Sequence, residues 1–238
     1  MRLIVAGCEY AGTTTLASAI DDWMEATMGA RFALIHDHYK VPHTSGHPDD
    51  TTPEEREQIM ALSPKLKEMV QRHSIYYHIQ PGSFDVPDWL VIGLHIEDSV
   101  YGPLYYGYGQ DGKPHDRKVV SRQVERAIMR FAPDVVLVHV KASPEVVARR
   151  MREKQHQDAV LKEKDISMVL RLFEEAVSRS TISRRITVDT SAQPVQATLA
   201  EFMKKMEPHF TDTDRLRILT HRALKAGGLP AATERPRE

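Results

Sequence analysis

A single cysteine, Cys8, serves the whole chain, so no intramolecular disulfide can form, and this fits a reducing compartment. Long apolar runs are missing too. The apolar stretch at residues 3–6 is too short for a signal peptide or a membrane span, and no other stretch approaches ~18 residues. A net charge of −1 leaves no global field to recruit nucleic acid or an anionic membrane surface. These absences lead us to expect a soluble, cytoplasmic protein. What remains is ordinary globular material, with 41% hydrophobic and 27% charged residues. At 238 residues the chain suits one α/β domain with additions.

The chain is organised around its beginning. Residues 2–6 read as a strand buried on both faces, GCEYAGTTT as a loop, and the following residues as an amphipathic helix carrying Leu16, Ala19, Ile20, Trp23 and Met24. Gly7 and Gly12 have the spacing of the phosphate-binding loop G-x-x-x-x-G-K-[ST], but Thr13 stands where the lysine belongs. Backbone N–H groups of such a loop converge on an anion at a helix N-terminus. Thr14 holds the hydroxyl position that normally ligates Mg²⁺ beside the phosphates, and Thr13 and Thr15 are further donors. Glu9 brings a negative charge into the loop.

Further along, a strand at about 31–35 ends in His36, Asp37, His38, Tyr39 and Lys40, followed by a histidine-rich loop with no standard metal spacing. Thr52, Pro53, Glu54 and Glu55 open a helix, and Ser63-Pro64 restarts it towards Tyr77. The run 88–96 reads as a third strand leading to Glu97, Asp98 and Ser99, and the tyrosine- and glycine-rich stretch after it as a loop. Residues 119–131 have helical spacing, 134–140 are a strand, and Ser143-Pro144-Glu145 opens a helix bearing Arg149, Arg150 and Arg152, with Lys154 beyond them. A helix over about 165–180, a strand at 185–189 and a helix at 194–206 complete the pattern. We therefore expect an α/β fold, a parallel sheet with helices on both faces in three layers, with ligands at the carboxyl ends of its strands. The domain is expected to span 1–210, with a lid at about 149–165. Residues 211–238 would hold a C-terminal helix and a tail disordered by composition.

In order along the chain, these motifs resemble the P-loop kinases of nucleosides and nucleotides, of the deoxynucleoside and thymidylate kinase types. The resemblance rests on GCEYAGTTTLA, on HDHY after the second strand, on IEDSVY, on PDVVLVHVKASPEVVARRMREK and on ITVDTSAQPVQATLAEF, and covers about residues 1–206. It implies a P-loop NTPase-type fold, with ATP and Mg²⁺ as cofactors and transfer of the γ-phosphate to a small hydroxyl or phosphate acceptor. Asp37 would match the general base and Glu97 the carboxylate near the metal that Thr14 also ligates. Asp98 replaces the family's arginine. Gly7, Gly12, Thr13, Thr14, Thr15, Arg149 and Arg152 would bind phosphates, with Arg150 catalytic in the lid. Lys40, Lys141 and Lys154 are further substitutes for the missing lysine. The acceptor, a nucleoside or similar metabolite, would lie among Asp37, Glu97 and the 101–108 stretch, with His38, Tyr101 and Tyr105 lining its pocket. No nucleic-acid or membrane partner is expected, and a homodimer is a possible assembly. Two alternatives stay open: a catalytically impaired nucleotide-binding module, and a sulfotransferase whose GTT loop holds the sulfate donor PAPS.

Overall fold

The structure, a computed structural model, describes residues 1–37, 52–155 and 159–227, with the backbone alone for Leu34, His36 and Asp37. Five parallel strands form one sheet in the order β2-β3-β1-β4-β5: β1 Arg2–Ala6, β2 Leu34–Asp37, β3 Trp89–Ile92, β4 Val136–Lys141 and β5 Arg185–Asp189. The central strand β1 pairs with β3 on one side (Leu3 opposite Leu90) and with β4 on the other (Leu3 opposite Val136). Leu3 to Ala6 are sealed from solvent, as is all of β3, which explains their continuous apolar sequences. At the edge, β5 alternates buried and exposed residues.

Helices cover both faces. The helices α1 (Thr13–Met28), α8 (Val195–Met206) and α9 (Asp212–Ala226) pack together on one side. On the other lie α4 (Leu94–Tyr101), α5 (Arg117–Phe131) and α7 (Ile166–Ser178), with α3 (Pro64–His78) and α6 (Pro144–Glu153) against them. The buried stripe of α1 is Leu16, Ala17, Ile20, Met24 and Met28, each large member contributing roughly 1.5–3 kcal/mol on burial. An α2 helix (Pro53–Ala61) begins with a reciprocal capping box between Thr52 and Glu55.

The helix expected beyond residue 211 is α9, and it docks tightly. Lys225 donates to the Ala26 carbonyl at 2.7 Å, and Arg217 forks onto Asp88 at 2.9 and 2.7 Å. Residues 228–238 lie outside the described residues, as does the histidine-rich loop.

The sequence reading of the elements fails between residues 93 and 106. The run 88–96 is not one strand: β3 stops at Ile92, Gly93 (φ 83°) and Leu94 (φ 48°) turn the chain, and α4 starts at once. The tyrosine-rich segment is likewise no loop at its start, because a π-helical turn at Gly102–Tyr106 prolongs α4. Glu97, Asp98 and Ser99 therefore sit on a buried helix and not at a strand end.

Candidate functional site

The phosphate-loop candidate leaves the carboxyl end of β1, where the strand order branches to both sides. Gly7 lets the backbones meet: a Cβ there would lie 2.5 Å from the Val140 carbonyl oxygen. The Ala11 N–H donates to the Cys8 carbonyl at 2.9 Å and closes the turn. Tyr10 (φ 65°) and Gly12 (φ 96°) are left-handed, and Tyr10 bears strain that glycine escapes.

Two residues from distant elements hold that shape. Arg150, on α6, donates through Nη1 to the Tyr10 carbonyl and to Thr190 Oγ1, both at 3.0 Å, and through Nη2 to the Thr190 carbonyl at 2.8 Å. Thr190, just after β5, donates its hydroxyl to the Ala11 carbonyl at 2.7 Å. Arg150 thus clamps the loop to the segment after β5. Its Nη1 also lies 3.6 Å from where a Cβ on Gly12 would be, so a fixed positive charge stands beside the loop that lacks a lysine.

Above the loop opens a cleft of about 550 Å³. Gly12, Thr13, Thr14 and Thr15 line it with the first turn of α1, which has no side-chain cap and no acidic residue. Arg150, Glu153, Lys154 and Thr190 line it too, as do Gln193, Val195 and Thr198. The helix dipole and the two cations favour an anion at the start of α1, with Glu153 opposing them. Thr14 lines the cleft, and its residue type fits Mg²⁺, an ion that needs few protein ligands when phosphate oxygens and waters complete its shell.

Other expected residues fall elsewhere. Arg149 is exposed and near Glu153 (3.8 Å), and Arg152 bonds the Ala148 carbonyl and faces Glu163 (3.6 Å), so neither lines the cleft. Lys141 pairs with Glu174. Glu97 is 5% exposed beneath the loop, close enough to the Cys8 thiol to act on it electrostatically, and is not brought to the cleft beside Thr14. Tyr101 is fully buried: its hydroxyl accepts from the Glu9 N–H at 3.0 Å and its ring packs on Phe173. It supports the loop from below and forms no pocket wall. Tyr105 is half-buried, donating to Asp165 at 3.1 Å, and so ties the π-helical turn to the start of α7. Asp37 ends β2 with only its backbone described, and His38 and Lys40 lie outside the described residues.

Asp98 does not leave a charge missing. Its carboxylate lies 3.1 Å from Arg117 Nε and accepts from the Tyr108 hydroxyl at 2.8 Å, while Arg117 also reaches Glu68 at 3.1 Å, all of it buried. Burial pushes the Asp98 carboxyl up, against the pull of Arg117 and Tyr108. Burial likewise pushes the Cys8 thiol far up, so it is no nucleophile. Glu9 turns to the segment before α7, accepting from the Leu161 N–H at 2.9 Å and from the Val160 N–H at 3.2 Å. Lys154, expected as a substitute for the missing lysine, does line the cleft, whereas Gln193 carried no signal in the sequence and is selected only by the folding of the segment after β5 onto the loop.

No protein-family model and no curated protein sequence matches the chain. Solved structures do. The chain is similar to the deoxyadenosine kinase of M. mycoides with bound dATP, at 13% identity over 87% of this chain and 100% of that one, TM-score 0.57. It is similar to YorR of Bacillus subtilis in complex with phosphorylated GDP (15% identity, 88% and 99%, TM-score 0.53) and to the thymidylate kinase of Candida albicans (15%, 88% and 93%, 0.52). At such identities the likeness is one of fold: this chain has the α/β P-loop fold of nucleoside and nucleotide kinases.

Proposed function

We propose that the chain is an ATP-dependent phosphotransferase acting on a small hydroxyl or phosphate acceptor of the nucleoside or nucleotide class. The observation that carries this is the cleft, lined by an uncapped helix N-terminus, three threonines, two cations with one carboxylate, and the apolar side chain of Val195. That shape suits a ligand with a polyanionic head and a flat, weakly polar body. Arg150 and Lys154 take over the charge that a loop lysine would supply. Mg²⁺, when bound at Thr14, neutralises phosphate oxygens and orients the transferring group. Asp37, at the carboxyl end of β2, accepts the acceptor's proton, and the acceptor lies on that side of the loop. Such a protein works in the cytoplasm on small molecules.

Calorimetry with ATP-Mg²⁺, ADP and 3′,5′-ADP, followed by transfer assays over a panel of nucleosides and nucleotides, tests this. ATP and ADP are expected to bind and phosphate to move to a member of the panel. Selective binding of 3′,5′-ADP would indicate a sulfotransferase instead, and ATP binding with no turnover would reduce the role to nucleotide binding. Thr13→Lys is expected to raise ATP affinity, since the loop keeps cradle geometry. Unchanged affinity there would mean that no phosphate rests against position 13.

A further inference from the structure

The lining of the cleft carries one group with a fixed hydrogen-bonding sense. Gln193 lies between β5 and α8, half-buried on the cleft wall. Its Nε2 donates to the Asp189 carbonyl at 3.0 Å and to Glu201 Oε2 at 2.6 Å. A carbonyl and a carboxylate can only accept, so the amide cannot turn over without setting its oxygen against two others. Both of its N–H groups are consumed. What Gln193 has left to offer a ligand is Oε1, an acceptor. Beside it Val195, 39% exposed, presents apolar surface on which a ring can lie.

We infer that Gln193 is a specificity-determining residue for the nucleotide base, its Oε1 accepting from the exocyclic amine of a 6-aminopurine and repelling the 6-oxo group of guanine or hypoxanthine. This rests on the nucleotide reading above, which places phosphates on Gly12–Thr15 and leaves the rest of the same cleft, Gln193 and Val195 included, to the base. Discrimination arises because an acceptor covered by the ligand and set opposite another acceptor gains nothing and loses its water. Glu201 is the positioning residue, one α8 side chain that keeps the amide from reversing.

The test is calorimetry of the full chain with ADP, IDP and inorganic tripolyphosphate, each with Mg²⁺. The wild type is expected to bind ADP about tenfold tighter than IDP, the worth of one good hydrogen bond. Gln193→Leu is expected to bring the two within about twofold while tripolyphosphate binding stays unchanged, which also shows that the variant is folded. Glu201→Ala, which frees the amide to turn over, is expected to narrow the ratio while Gln193 stays in place. Equal affinities in the wild type, or a ratio unchanged in both variants, would overturn the base-reading role and leave the phosphate site standing. Failure of tripolyphosphate and both nucleotides to bind the wild type would overturn the nucleotide reading, and this inference with it.

Discussion

Arg150 is the side chain on which the loop's shape depends. The strained left-handed Tyr10 persists because its carbonyl, and that of Ala11, are gripped from α6 and from Thr190. The guanidinium has five N–H groups in a rigid fork, and three are committed to Tyr10 and Thr190. Its Nε–H and second Nη2–H stay available on a cleft wall where an anion would sit. One residue therefore serves both geometry and charge. Arg150→Ala is expected to lower stability by about 2 kcal/mol, from lost charge-assisted hydrogen bonds, and to weaken ATP binding at least tenfold. Arg150→Lys restores a charge but not a fork, so it should recover little of either. Urea denaturation and calorimetry measure both effects. Full recovery in the lysine variant would show that charge alone matters and that the clamp is incidental.

Between elements, the loop and the segment before α7 are joined by a carboxylate that looked misplaced in the sequence. Glu9 weakens the field for an anion if it faces the cleft, but its oxygens turn to the N–H groups of Val160 and Leu161 instead. Glu9→Gln is expected to speed hydrogen exchange at those two amides roughly tenfold, with core strand amides unaffected. Unchanged protection would mean that the contact is not made in solution. Local elements were legible where a period or a cap was strong. β1 and β5 fall on the expected residues, and Ser143 accepts from the Val146 N–H as an N-cap should. The break between β3 and α4 was not legible, because LVIGLHI is apolar but for His95 and a short buried run has no period of its own. The loop could be read from motif spacing, whereas Arg150 was one of four basic residues in six, and only its bonds to Tyr10 and Thr190 single it out. The burial of Tyr101 and the pairing of Asp98 with Arg117 could not, since their partners lie far along the chain and only the packed fold brings them together.

For the molecule as a whole, two of the buried groups that make folding sensitive to acid are His139 and Glu125. His139, on β4, is held neutral: burial, reinforced by the nearby Lys141 charge and opposed by Glu174, takes it from 6.5 down to about 4. Between those values the unfolded chain binds a proton that the folded chain refuses. The stability linked to His139 is therefore complete above pH 6.5 and is lost as pH falls towards 4, reaching about 3 kcal/mol. Glu125 acts lower. Burial alone would raise its carboxyl, but bonds and charge from His95, with hydroxyls of Ser180 and Thr181, hold it at about 2. A carboxylate depressed on folding contributes stability above its unfolded value, near 4.5, and loses it as pH falls to 2. The two windows adjoin, so stability should decline continuously from pH 6.5 downwards. His139→Gln cannot titrate and isolates the first window. Urea titrations at half-unit intervals from pH 7.5 to 4 should show the variant's slope reduced by up to ~1.4 kcal/mol per pH unit, the value of one proton. Parallel wild-type and variant curves would mean that His139 accepts its proton in the folded state as readily as in the unfolded one, and the interior of the sheet would then have to admit water at β4.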